Sequence, residues 1–184
     1  MLVPLRRLLA AALVGLLAVP ALAAGGDPQL RAKILAAYGA VTSYRITVLG
    51  SVRSSGVFVA PNRYKMTTII DGKPLKTIFI GKTYWIYSDG KWQKSDTPAN
   101  NLDFDIAGVI RNAKQSSAAS FVHLPDQVED GKKVGTFRYT FKNGNQETCN
   151  FAPTTYLVTR CKTEDLTILY SGYNDPANQV PDVK

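Results

Sequence analysis

His123 is the only histidine of the chain and the first side chain to consider for acid–base chemistry near neutral pH. It stands in the stretch FVHLPDQ, three residues before Asp126 and shortly after Ser116 and Ser120. A Ser-His-Asp reading would recruit those neighbours. Triad members converge from separate parts of a chain, however, and no G-x-S-x-G elbow is present. Asp103 and Asp105 lie two apart, so on a helix they diverge rather than share a proton. They suit a helix N-terminus, where the dipole favours negative charge. One histidine and two cysteines do not make a zinc set. No glycine-rich phosphate loop occurs, and the glycines read as turn residues. The sequence thus offers no catalytic residue, no metal site and no cofactor site, and it reads as a non-enzyme with His123 in a loop or at a helix end.

The two cysteines, Cys149 and Cys161, take their meaning from the compartment. Arg6 and Arg7 form a basic start, Leu8 to Val19 is an apolar run, and Ala21-Leu22-Ala23 is a cleavage signal. The run is about a dozen residues, short of the roughly 20 that cross a bilayer. A cleaved signal peptide over residues 1–23 is expected, without the cysteine that would mark a lipoprotein. Export makes a disulfide between Cys149 and Cys161 the default. The pair flanks the turn Ala152-Pro153-Thr154-Thr155, as two facing strands of one hairpin would place it.

The net charge of +8 includes Arg6 and Arg7, which leave with the signal. The remaining lysines and arginines are dispersed, with no cluster beyond Lys132-Lys133. This argues against a nucleic-acid face. It leaves room for transient, salt-sensitive contact with an anionic membrane surface.

The elements that must position these residues are mostly strands. Asp27 can cap a helix with Pro28 at its first position, followed by apolar Leu30, Ile34, Tyr38 and Val41. From Ser43 the period becomes two, through strands near 44–48, 57–59, 63–68, 76–80, 83–87 and 91–94. Turn signals stand at Pro61-Asn62, Asp71-Gly72, Gly81-Lys82 and Asp89-Gly90. A second helix is expected from Asp103 or Phe104 to about Lys114, then a small polar loop at Ser116 to Ser120. Four strands follow, at 133–142, 147–151, 156–162 and 166–170. Short connections make successive strands antiparallel neighbours.

About ten antiparallel strands with two helices give an α+β chain whose large twisted sheet must curl. The expected shape is a strongly curved half-barrel with the helices plugging its concave side. Tyr64, Met66, Phe79, Tyr84, Ile86, Phe137 and Tyr139, at alternating strand positions, are the candidates for lining a cavity between sheet and plug. For any one of these residues an ordinary filled core is the commoner role, because aromatic and β-branched residues are what strands use anyway. Trp85 points the other way from Tyr84.

Several segments in chain order resemble the LolA/LolB-like lipoprotein-localisation superfamily: APNRYKM after a strand, the hairpin IFIGKTYWIYSDGKWQK, the strand-turn-strand CNFAPTTYLVTRCKT and the closing ILYSGYNDPANQVPDV. Together they span most of the chain from Ser43 on. The resemblance implies one half-barrel domain over residues 24–184, located in the periplasm, with an apolar cavity that accepts acyl chains. It implies a carrier or sensor of a lipid or a lipidated protein. The cysteine pair and the missing lipoprotein cysteine depart from the family's carrier and its membrane-anchored receptor.

Two functions compete. In the first, a hydrophobic ligand sits in the cavity and the Ser116 to Ser120 loop acts as a lid. In the second, the scaffold has a filled core and recognises a protein partner through an aromatic patch at Trp85 and Trp92 on the Asp89-Gly90 hairpin.

Overall fold

The computed structural model describes residues 27–95, 121–141 and 144–183. The expected signal peptide, second helix and Ser116 to Ser120 lid lie outside the described residues.

Helix α1 (Pro28–Gly39) begins where the capping residues place it. The Asp27 carboxylate accepts the backbone N–H groups of Gln29 and Leu30 at 3.0 and 2.9 Å, satisfying two of the donors that a helix start leaves open. Leu30, Ile34 and Tyr38 recur at helical spacing and are all buried.

The rest is sheet: β1 (Ser43–Gly50), β2 (Arg53–Val59), β3 (Arg63–Ile70), β4 (Lys73–Ile80), β5 (Thr83–Ser88), β6 (Lys91–Ser95), β7 (Phe121–Glu129), β8 (Lys132–Thr140), β9 (Gln146–Phe151), β10 (Val158–Lys162) and β11 (Leu166–Ser171). They form one antiparallel sheet in the order β6-β5-β4-β3-β2-β1-β11-β10-β9-β8-β7. Two meanders, β1–β6 and β7–β11, join side by side through β1 and β11. The sheet is open, with β6 and β7 as its edges, and fits a curved half-barrel. The expected pair of helices on the concave side is not what the described residues hold, since α1 is the one helix among them.

Among the described residues there are eleven strands rather than ten, and the additional one is β7. His123 therefore stands in a strand, not in a loop or at a helix end. Pro125 hides this strand from a pattern reading, because proline cannot donate to a ladder. An edge strand tolerates it, and a register shift between Leu124 and Gln127 absorbs the irregularity.

Three two-residue turns, Asp71-Gly72, Asp89-Gly90 and Asp130-Gly131, have positive φ at both positions. That conformation matches the right-handed twist of hairpin strands and selects Asp-Gly. Not all glycines mark turns, however. Gly135 lies inside β8, where a Cβ would meet the Phe151 ring at 2.1 Å, so the missing side chain lets that ring lie across the strand.

Register sorts the side chains onto two faces. The inner face carries α1 and the core, in which Tyr44, Ile46, Phe58, Met66, Phe121, Phe137, Tyr139, Phe151 and Val158 are buried with the helix residues. Each such side chain contributes on the order of 1.5–3 kcal/mol by leaving water. The outer face is crossed by the segment after β11. Arg45 binds Asp175 at 2.6 Å and Asn178 at 3.0 Å, while Arg63 donates to the Val180 carbonyl at 2.8 Å and to Asp182 at 2.7 Å.

Candidate functional site

One line of aromatic rings crosses five strands of the inner face. Tyr44 pairs with Phe58, Phe58 with Tyr64, Tyr64 with Phe79, and Phe79 with Tyr84, each directly across a strand boundary. Ring centroids stand 4.8, 5.0 and 5.7 Å apart along the first three steps, the spacing at which tilted rings attract. The next row on the same face runs Ile46, Gly56, Met66, Thr77 and Ile86. Alternation in each strand produces the rows, and register aligns them.

The sequence candidates divide here into two groups. Tyr64, Met66, Phe79, Tyr84 and Ile86 lie together on β3, β4 and β5. Tyr64, Phe79, Tyr84 and Ile86 remain partly exposed, whereas Met66 is buried. Phe137 and Tyr139 lie on the same face but on β8, where they are 1% and 6% exposed within the packed core. Phe121 stacks on Phe137 with centroids 4.5 Å apart. The inner face is therefore packed at the β8 side and keeps accessible apolar surface at the β3–β5 side. Trp85, Tyr87 and Trp92 stand on the outer face.

Two polar features of the inner side escaped the sequence reading. Tyr38 of α1 and Tyr173 share a hydrogen bond of 2.7 Å, and Tyr173 donates to the Val158 carbonyl at 2.6 Å. Tyr173 has one proton and gives it to the carbonyl, so Tyr38 donates to Tyr173. Burial raises the pKa of both phenols above the ordinary tyrosine range. The second feature is Glu147, which shares its face with Tyr139. Burial pushes its carboxyl from 4.5 up to about 7. The alternation of QETCNF already places Glu147 on one face with Cys149 and Phe151, and that was the available signal. The carboxylate lies within 4.8 Å of both sulfurs. Cys149 and Cys161 are disulfide-bonded, as expected, and so offer no thiolate to a metal.

His123 sits elsewhere, in a cleft of about 220 Å³ at the start of α1, lined by Asp27, Leu30, Lys33, Asp126, Phe151 and Tyr156 among others. Its Nδ1 faces Asp27 and its Nε2 faces Asp126, both at 3.7 Å. Lys133 bonds Asp126 at 2.9 Å and, with His123 adding to the effect, lowers its pKa. Ser116 and Ser120, the hydroxyls that a triad would need, lie outside the described residues. The cleft is smaller than the roughly 300–1,000 Å³ of ordinary small-molecule sites. A groove of about 830 Å³ at the ends of β9 and β10 is lined mainly by polar residues, including Gln146, Thr148, Lys162, Glu164 and Asp165.

An open antiparallel sheet with a helix on its apolar face defines a class of half-barrel protein, and solved structures of that class superpose on this chain. The lipoprotein LppX of Mycobacterium tuberculosis is 15% identical, with a TM-score of 0.58 over 86% of this chain and 100% of that one. LprF from Mycobacterium bovis is 13% identical, with a TM-score of 0.56 over 86% and 98%. A conserved protein of Thermus thermophilus is 8% identical, with a TM-score of 0.50 over 79% and 84%. These likenesses show that the chain shares its fold with those proteins. No protein-family model and no curated protein matches the sequence.

Proposed function

We propose that the chain is an exported periplasmic protein that holds a hydrophobic ligand, an acyl chain of a lipid or of a lipidated protein, on the inner face of its half-barrel. One observation carries the reading: the aromatic line from Tyr44 to Tyr84 is packed at its Tyr44 end and accessible at Tyr64, Phe79 and Tyr84. An acyl chain laid along that accessible stretch would gain about 0.8 kcal/mol for each methylene it buries. The fold shared with a mycobacterial lipoprotein and the signal-like start of the sequence support an exported location. Among the described residues no helix is long and apolar enough to cross a membrane.

Native mass spectrometry with lipid extraction, on protein isolated without detergent, tests the proposal. A stoichiometric adduct that partitions into organic solvent is the expected result. The bare mass of the disulfide-bonded chain, together with failure to take up a fluorescent fatty acid, would overturn it.

A further inference from the structure

The sheet is electrically lopsided in a way that composition alone does not reveal. Strands β2 to β6 contain no Asp or Glu. From Arg53 to Lys94 there are eight lysines and arginines against two acids, Asp71 and Asp89, both in turns. On that half, among the described residues, Arg63 alone is paired, with Asp182 from the segment after β11, while in β7 to β11 Lys133 pairs with Asp126 and Arg160 with Glu129.

Register concentrates part of this charge on the outer face, interleaved with aromatic rings. One row runs Lys76, Tyr87, Trp92, and the adjacent row runs Lys65, Ile78, Trp85, Lys94. Lys76 lies over the Tyr87 ring at 5.4 Å, and Tyr87 meets Trp92 edge-on at 5.2 Å. Lys65, Lys76, Lys94 and Tyr87 are exposed and both tryptophans are partly so, whereas Ile78 between them is buried. Among the described residues no ion pair engages any of these three lysines.

We infer that this outer face of β3–β6 is a docking surface for a bilayer bearing anionic headgroups. Lysines on β3, β4 and β6, in a sheet whose strands are about 4.8 Å apart, present positive charge that complements a plane of phosphates. Tryptophan and tyrosine prefer the headgroup level, where an apolar ring meets a polar edge. Ligand face and membrane face would then be opposite sides of the same strands. The inference extends the acyl-ligand reading but does not depend on it, because the two faces are assayed separately.

The chain's two tryptophans both lie on this face, so their emission reports docking directly. Phosphatidylglycerol vesicles should shift the emission to the blue and carry the protein into the pellet, while phosphatidylcholine vesicles should do neither. Raising salt from about 0.1 M to about 1 M shortens the screening length from about 10 Å to about 3 Å and should release the protein. Each lysine lost should weaken vesicle affinity by about fivefold, so the K65E/K76E/K94E variant should lose docking. The K132E/R138E/K162E variant changes net charge equally on the other half of the sheet and should retain most of it. Uptake of a fluorescent fatty acid in vesicle-free solution should be the same in the K65E/K76E/K94E variant and the parent. The inference is overturned if neither vesicle moves the emission, as a protein partner for this face would produce. It is also overturned if both vesicles act alike, if the protein sediments with unchanged tryptophans, or if the second triple variant is as damaging as the first.

Discussion

Glu147 stands directly opposite Tyr139 across β8 and β9, on the sheet face that carries the core. An ionised carboxylate there loses hydration, so the protonated form is favoured and the folded-state pKa rises to about 7 from 4.5. A pKa raised by folding makes the stability conferred by the bound proton complete below about pH 4.5 and lost as pH climbs to about 7. Denaturant melts across that window should show stability falling with pH. Glu147→Gln should remove this slope, match the parent at the acid end and exceed it above pH 7 by up to about 3 kcal/mol. Parallel curves for the two proteins would exclude the assignment.

The Tyr38–Tyr173 pair predicts an order of damage. Tyr173→Phe strands both the Val158 carbonyl, in a residue that is fully buried, and the Tyr38 hydroxyl. Tyr38→Phe leaves the bond from Tyr173 to Val158 in place. The first substitution should cost on the order of 2 kcal/mol and the second about 1 kcal/mol or less. Equal losses in urea melts would mean that the proton order is reversed or shared.

Much of the architecture can be read from the chain because period and punctuation agree. Asp27-Pro28 starts the helix where its capping chemistry permits, and Asp71-Gly72 and Asp89-Gly90 turn where two positive φ angles are required. Separating Tyr84 from Trp85 needs only the two-residue period. What stayed hidden depends on position in three dimensions. Strand β7 looks broken by Pro125 until its place at the sheet edge is known. Phe137 and Phe79 carry the same sequence signal, yet the first is packed near the helix-covered side and the second is not. Coverage by α1 is a tertiary fact, and alternation cannot report it. Glu147 was readable as an inward residue of β9, but its partial burial was not.

The Cys149–Cys161 bridge joins directly opposed residues of β9 and β10 across a separation of 12. Closing so short a loop contributes on the order of 3 kcal/mol in the chain-entropy account. The Cys149→Ala, Cys161→Ala double variant should lower the urea midpoint by about 1 to 2 M. An unchanged midpoint would show that the bridge adds nothing to a pairing the strands already enforce.

Ile86 and Tyr87 are adjacent on β5 but face opposite sides of the sheet, which allows the ligand proposal to be tested within one strand. Ile86→Lys places a charge beside the accessible aromatic stretch, and an acyl chain would have to desolvate it. Displacement of a fluorescent fatty acid should show affinity falling tenfold or more for Ile86→Lys and unchanged for Tyr87→Lys. In the parent, lengthening the competing fatty acid should improve affinity by up to about fourfold per methylene until the accessible stretch is covered, then level off. Equal sensitivity at the two positions, or affinity indifferent to chain length, would remove the inner face of β3–β5 as the binding surface. A plateau reached only after several methylenes would give the length of chain the sheet accommodates.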